Sequence, residues 1–334
     1  MANSDNQINI GDAWKGLVDI QINIGDTWKS ISEGYVNIGD AWKQFWTAAA
    51  SNLDRGIRCG GGTTNIMDYV TISTPGDATG FGDLTIGKQY NGCCASLTRG
   101  VSAGHSAPSN VIDYITISTP GNATDFGDLT VARGVNGAFS NETRGVVVPA
   151  LANSNVIDYI TIASAGNATD FGDTTVRHYG STGLSSTTRG VIGTSTDSNV
   201  MSYITIASTG NATDFGDLTT NNRGNTAGTS SSTRGVFGGG ANSTVTTFFN
   251  TIDYITIAST GNATDFGDLT AARYGLGGTS NKTRGMFFNG ITSLTTVNII
   301  DYITIASTGD AADFGDTTDG SRGSGAMSDC HGGV

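Results

Sequence analysis

Residues 253–270 read D-Y-I-T-I-A-S-T-G-N-A-T-D-F-G-D-L-T, and the return of this stretch along the chain decides the fold. Its tyrosine recurs at Tyr69, Tyr114, Tyr159, Tyr203, Tyr254 and Tyr302, at intervals of 45, 45, 44, 51 and 48 residues. Twelve residues after each tyrosine stands the phenylalanine of F-G-D: Phe81, Phe126, Phe171, Phe215, Phe266 and Phe314. An arginine-glycine pair precedes each tyrosine, led by Arg55, Arg99, Arg144, Arg189, Arg234 and Arg284. Three landmarks in six copies mark a repeat architecture rather than chance.

Each unit reads as four short strands. Residues 273–280 (R-Y-G-L-G-G-T-S) exemplify the first, 284–288 (R-G-M-F-F) the second, 301–306 (D-Y-I-T-I-A) the third and 265–270 (D-F-G-D-L-T) the fourth. In a third strand, Ile115 and Ile117 share one face with Asp113, while Ile112, Tyr114 and Thr116 share the other. Both faces are apolar enough to be covered, as a sheet between two neighbours requires. The 49 glycines against 4 prolines point to many tight turns, supplied by runs such as S-T-G-N-A-T. Four strands in such a period match a propeller blade. A closed ring of six covers every blade with two others, whereas a linear stack leaves faces bare.

The ends of the repeats point the same way. Residues 53–56 (L-D-R-G) are a second strand without its first, and residues 322–329 (R-G-S-G-A-M-S-D) a first strand without its second. The predicted fold is all-β: a six-bladed β-propeller over residues 51–334, closed by pairing of its N- and C-terminal strands.

Residues 1–50 carry a different repeat, of period 14: I-N-I-G-D-A-W-K at 8–15, I-N-I-G-D-T-W-K at 22–29 and V-N-I-G-D-A-W-K at 36–43. Gly-Asp between β-prone runs suits a two-residue hairpin turn, so three hairpins in a small meander are expected. All four tryptophans fall here, and tryptophan is over-represented at energetically dominant interface positions. Trp14, Trp28, Trp42, Phe45 and Trp46 are therefore candidates for anchoring the chain to a partner, or to copies of itself as a homo-oligomer. A local mini-core is the competing reading.

Two resemblances follow. Over residues 53–334, the order of arginine-led, glycine-ended, tyrosine-bearing and aromatic-led strands resembles the kelch unit. The kelch double glycine is clear at 60–62 and 238–240, and phenylalanine stands where kelch has tryptophan. This implies a kelch-like fold, not a kelch adaptor function. The tandem N-I-G-D-x-W-K units resemble N-terminal parts of tailed-bacteriophage tail and fibre proteins. Repeats like residues 253–270 resemble those of predicted structural proteins of marine phages. Together they imply a non-enzymatic virion structural protein, a tail or fibre component assembled in the host cytoplasm. It would attach through residues 1–50 to other virion structural proteins and present its propeller to a host-surface glycan, a receptor or a neighbour. A non-viral propeller scaffold is the alternative, and a polysaccharide-degrading enzyme ranks third.

Composition narrows the chemistry. The net charge of -12 rests almost wholly on aspartate, since Glu33 and Glu142 are the only glutamates. Nucleic acid, which needs a basic footprint, is not an expected partner. No run of 18 apolar residues exists, so membrane insertion is not expected. The opening residues lack the basic and apolar regions of a secretion signal. Of 17 lysines and arginines, six stand in R-G and six more lead the first strands: Lys88, Arg133, Arg177, Arg223, Arg273 and Arg322. The F-G-D aspartates Asp83, Asp128, Asp173, Asp217, Asp268 and Asp316 also recur in every unit, so a repeated contact between them and the R-G arginines is expected, with separate solvated roles as the alternative.

No catalytic residue, metal or cofactor is expected. His105, His178 and His331 fall at unrelated positions, against a histidine metal site or triad. Cys59, Cys93, Cys94 and Cys330 match no zinc spacing and read as small buried hydrophobes. D-F-G at 125–127 resembles the Asp-box of sialidase propellers, but that family's tyrosine and arginine clusters have no counterpart, and glycoside hydrolysis needs a carboxylate pair. No acidic run has the ligand density of a calcium loop. The N-x-T triplets at Asn122, Asn167, Asn211 and Asn262 recur at one turn and read as turn chemistry.

Asymmetry remains. The spacing from R-G arginine to tyrosine is 14 or 15 in four units but 20 and 18 in the last two. The surplus falls in residues 239–249 and 290–297. Antiparallel strands place second-to-third and fourth-to-first connections on one face of the ring. Asn242, Thr247, Phe248, Phe249, Ile291 and Leu294 are thus candidate binding-loop residues, expected to expose aromatics and hydroxyls.

Overall fold

The computed structural model describes residues 54–330 except 107–108, 136, 150–153, 177–179, 194, 196–197, 222 and 294, together with six strands between residues 7 and 47, for which only the backbone is described. The chain divides into two compact units, Met1–Asn52 and Leu53–Val334.

In the first unit, Gln7–Ile10 pairs with Ala13–Gly16, Gln21–Ile24 with Thr27–Ser30, and Glu33–Ile38 with Ala41–Thr47. Ile10 faces Ala13, Ile24 faces Thr27 and Ile38 faces Ala41, so each pair of strands is separated by two residues, the spacing the repeat predicts for a hairpin. The hairpins are three separate two-stranded sheets, which corrects the expected continuous meander. With only two residues between them, the two strands of each unit are the partners with the least closure entropy to overcome.

The second unit is a six-bladed β-propeller of four-stranded antiparallel sheets. Blades are numbered I to VI by their tyrosines, Tyr69 to Tyr302. Blade VI runs outward from Gly277–Ser280 through Arg284–Phe288 and Ile299–Thr304 to Ala312–Asp316. The innermost strand of every blade packs against those of two neighbours, and the circuit is complete. Blade I closes it: Gly325–Ser328 pairs with Arg55–Cys59, Gly325 opposite Cys59 and Ser328 opposite Gly56, as the incomplete strands predict.

Innermost strands are shorter than expected. In blade VI the strand begins at Gly277, and residues 273–276 form its lead-in. Arg273 is wholly buried there instead of heading the strand.

Third strands are covered on both faces, with Ile112, Asp113, Ile115 and Ile117 all buried and Tyr114 half-buried. Among the described residues the core is divided into six clusters, each drawing on two adjacent blades. One joins Val101, Ile112 and Phe126 of blade II to Val147, Ile160 and Ile162 of blade III. Another joins Met286, Phe288 and Phe314 of blade VI to Val70 and Ile72 of blade I, burying the seam. No helix among the described residues is long and apolar enough to cross a membrane.

Candidate functional site

The recurring charges are engaged between and within blades. Each R-G arginine lies over its own blade's tyrosine, the guanidinium carbon 4.3 to 4.5 Å from the ring centroid. This cation–π contact is worth about 0.5–2 kcal/mol depending on solvation. The same guanidinium donates to a main-chain carbonyl of the next blade. Arg55 reaches Ile117 at 2.8 Å, Arg144 reaches Ile206 at 2.8 Å, and Arg284 reaches Ile72 at 2.7 Å across the seam. Arg99, Arg189 and Arg234 do likewise to Ile162, Ile257 and Ile305. The expected R-G to F-G-D contact is therefore corrected: no ion pair among the described residues joins them. The third strand lies between second and fourth, so its tyrosine, diagonal to the arginine on the same face, takes the guanidinium.

The F-G-D aspartates act through their main chain. Asp128 N–H donates to Asn167 Oδ1 at 3.1 Å and Asp173 N–H to Asn211 Oδ1 at 3.0 Å, each asparagine belonging to the next blade. Asp77 does the same for Asp316 at 3.0 Å, closing the ring. The N-x-T asparagines are thus turn residues that also bridge blades.

Arginine–aspartate pairs do exist, between other residues. Arg133 meets Asp158 at 2.9 Å, Arg223 meets Asp253 at 3.1 Å, Arg273 meets Asp301 at 3.0 Å and Lys88 meets Asp113 at 3.0 Å, every side chain wholly buried. A threonine of the preceding blade also binds the carboxylate, as Thr130 Oγ1 does Asp158 at 2.6 Å. Burial pulls Arg133, Arg223, Arg273 and Lys88 below their ordinary pKa values, against the pull of their aspartates. Blade I draws its cation from elsewhere: Arg58, on the second strand, binds Asp68 at 2.7 Å and also Asp319. Burial would lower Arg58, but the two carboxylates outweigh it and hold the guanidinium above its ordinary value. In blade IV, Ser202 stands where the aspartate would be and shares a hydrogen bond with Thr175.

Around the axis, serine hydroxyls cap the inner strand edges. Ser140 Oγ donates to Ala95 O at 2.6 Å, Ser185 to Ser140 O at 2.9 Å, and Ser230 to Ser185 O at 2.9 Å. Ser280 and Ser328 continue the belt at 2.7 and 2.6 Å. Exposed main-chain edges that would invite another strand are thereby occupied.

The longer second-to-third connections lie in blades V and VI. Asn242 organises the longer loop: its Oδ1 accepts the N–H groups of Thr246 at 2.9 Å and Thr247 at 3.1 Å, and its own N–H donates to Thr247 O. At the tip, Val245 is 41% exposed with φ of 54°, a strained conformation for a β-branched residue. Phe248 and Phe249 are half-buried rather than exposed, which corrects the expectation. The reason is Tyr274, whose ring lies 5.4 Å from that of Phe248. Tyr274 sits between blades V and VI and its main chain pairs with Ile291 of the second loop. Its hydroxyl accepts a hydrogen bond from Arg322 at 2.9 Å. One face thus gathers Asn242, Thr247, Phe248, Tyr274, Ile291 and Arg322, while Leu294 lies outside the described residues.

Tyr274 and Arg322 were not singled out as site residues in the sequence. The signal for Tyr274 was there: glycine follows the lead-in arginine at Arg133, Arg223 and Arg322, and tyrosine replaces it only after Arg273. In the first unit, Trp14, Trp28 and Trp42 occupy one register position, opposite Asn9, Asn23 and Asn37. Phe45 is the bulged residue beside Trp46, which faces Gly34. Their side chains, like Arg177, His178 and His331, lie outside the described residues. Among the described residues, no group of three or more His, Cys, Asp or Glu side chains could hold a metal.

Compared with known proteins, the chain matches no family model and no curated protein.

Proposed function

We propose that this chain is a non-enzymatic structural protein of a tailed-bacteriophage virion, a tail or fibre component. Its N-terminal hairpins attach it to other virion proteins, and its kelch-like propeller presents a binding face. The observation that carries the reading is the division of labour in the propeller. Repeated arginines, aspartates and asparagines join strands and blades, and the longest departures from the repeat spacing fall in the loops of blades V and VI. A rigid ring presenting a few irregular loops suits recognition, because binding groups concentrate on loops held by a scaffold. The tandem tryptophan hairpins support attachment, since tryptophan dominates interface energetics.

The bound surface is a host glycan, a receptor or a neighbouring virion protein. The test is quantitative mass spectrometry of purified virions, with the chain expected at fixed stoichiometry to the tail proteins. Its absence from virions of a host culture that expresses it would overturn the virion assignment and favour a non-viral scaffold.

A further inference from the structure

The junction between blades I and II holds two thiols that the binding reading does not use. Cys59 ends the second strand of blade I, directly opposite Gly325. Paired residues in an antiparallel ladder project to the same face of the sheet, about 4.5–5.5 Å apart at Cβ. On that face the Sγ of Cys93, from the innermost strand of blade II, lies 2.4 Å from where a Cβ on Gly325 would be. Glycine at 325 therefore opens the space that Cys93 fills beside Cys59. The two thiols share one apolar cluster with Ile57, Met67 and Phe81. No other junction can hold such a pair. The residues equivalent to Cys93 are Ala138, Gly183, Gly228, Gly278 and Ala326, and those equivalent to Cys59 are Ala103, Val148, Gly193, Gly238 and Phe288. Cys94 points the other way, its sulfur against Gly145 of blade III, and all four cysteines are free thiols.

We propose that Cys59 and Cys93 are a specific oxidation site, forming a disulfide that ties blade I covalently to blade II. Blade I is the blade assembled from both ends of the propeller sequence, so the bond secures the N-terminal half of the seam. With a diazene oxidant such as diamide, one thiol adds across N=N. The second thiol then displaces the nitrogen from sulfur, giving one S–S bond and a hydrazine that keeps both protons and both electrons. The neighbouring Cys93 thiol and burial push the Cys59 thiol up. The reaction therefore proceeds through small openings of the junction and is slow. The proposal is independent of the virion assignment and is tested separately.

The test uses the native full-length chain, treated with diamide, alkylated after denaturation and mapped by mass spectrometry. The expected result is loss of two hydrogens, a linked peptide pair containing Cys59 and residues 93–94, and a denaturation midpoint raised by roughly 5 °C and restored by dithiothreitol. Cys94→Ser is expected to keep the link, and Cys93→Ser to lose it. Singly alkylated Cys59 and Cys93 in oxidant-treated, folded wild-type protein would overturn the proposal, and so would a link that survives Cys93→Ser.

Discussion

Arg133 has no contact with solvent, and its charge is balanced by Asp158 at 2.9 Å. Removing one member of a buried pair strands the other, at a cost of about 3–5 kcal/mol, whereas removing both costs much less. Arg133→Met is accordingly expected to lower the urea midpoint strongly. Adding Asp158→Ser should recover most of the loss, since Ser202 with Thr175 already fills that place in blade IV. Equal destabilisation in single and double variants would show that the pair is not balanced as described. Asp329 offers a test of pH dependence. Burial raises its carboxyl above the ordinary 3.8, against the Arg55 N–H it accepts at 3.0 Å. The folded state therefore holds this proton more tightly than the unfolded chain, and stability from this group falls as pH rises from 3.8 through the raised value. Relative to Asp329→Asn, the wild type is expected to lose thermal stability across that window; parallel curves for the two proteins would refute the shift.

At the scale of strands, two glycine positions explain why R-G and F-G-D never vary. The R-G glycine receives the preceding blade's innermost strand: a Cβ on Gly145 would lie 2.7 Å from Cys94 Sγ. The F-G-D glycine takes φ near +141° at Gly172, and a Cβ there would meet Gly210 O of the next blade at 2.5 Å. Gly172→Ala is expected to cost about 2 kcal/mol or more, because a main-chain carbonyl cannot swing aside. Gly121→Ala, with open space around it, should be close to neutral in the same denaturation assay.

These motifs were legible in the sequence because contacts repeated at every junction impose a constant spacing. So were the blade number and the seam, from strands left incomplete at each end. The partner of each arginine was not legible. Arg144 bonds a carbonyl at Ile206, in another blade and without a side-chain signature, so the sequence offered the F-G-D aspartates, the only ones present in all six units, as its partner. The buried aspartates Asp113 and Asp158 stood inside an apolar strand and read as strand residues. Asn242 and Phe248 were marked by loop length, while Tyr274 was hidden in a lead-in whose length does not change.

At the scale of the molecule, closure and asymmetry carry the account. The ring repeats its junctions through the seam, where Arg284 reaches Ile72 and Asp316 meets Asp77 as their counterparts do elsewhere. Against that self-engaged scaffold, the loops of blades V and VI, joined through Tyr274, stand out among the described residues by their added length. On the virion reading proposed above, the most direct test of that claim is the adsorption rate of virions carrying a chain with both loops shortened to the blade II spacing. With folding confirmed by an unchanged melting midpoint, the account predicts loss of adsorption or of incorporation into the particle. Normal adsorption and normal assembly by such virions would contradict it.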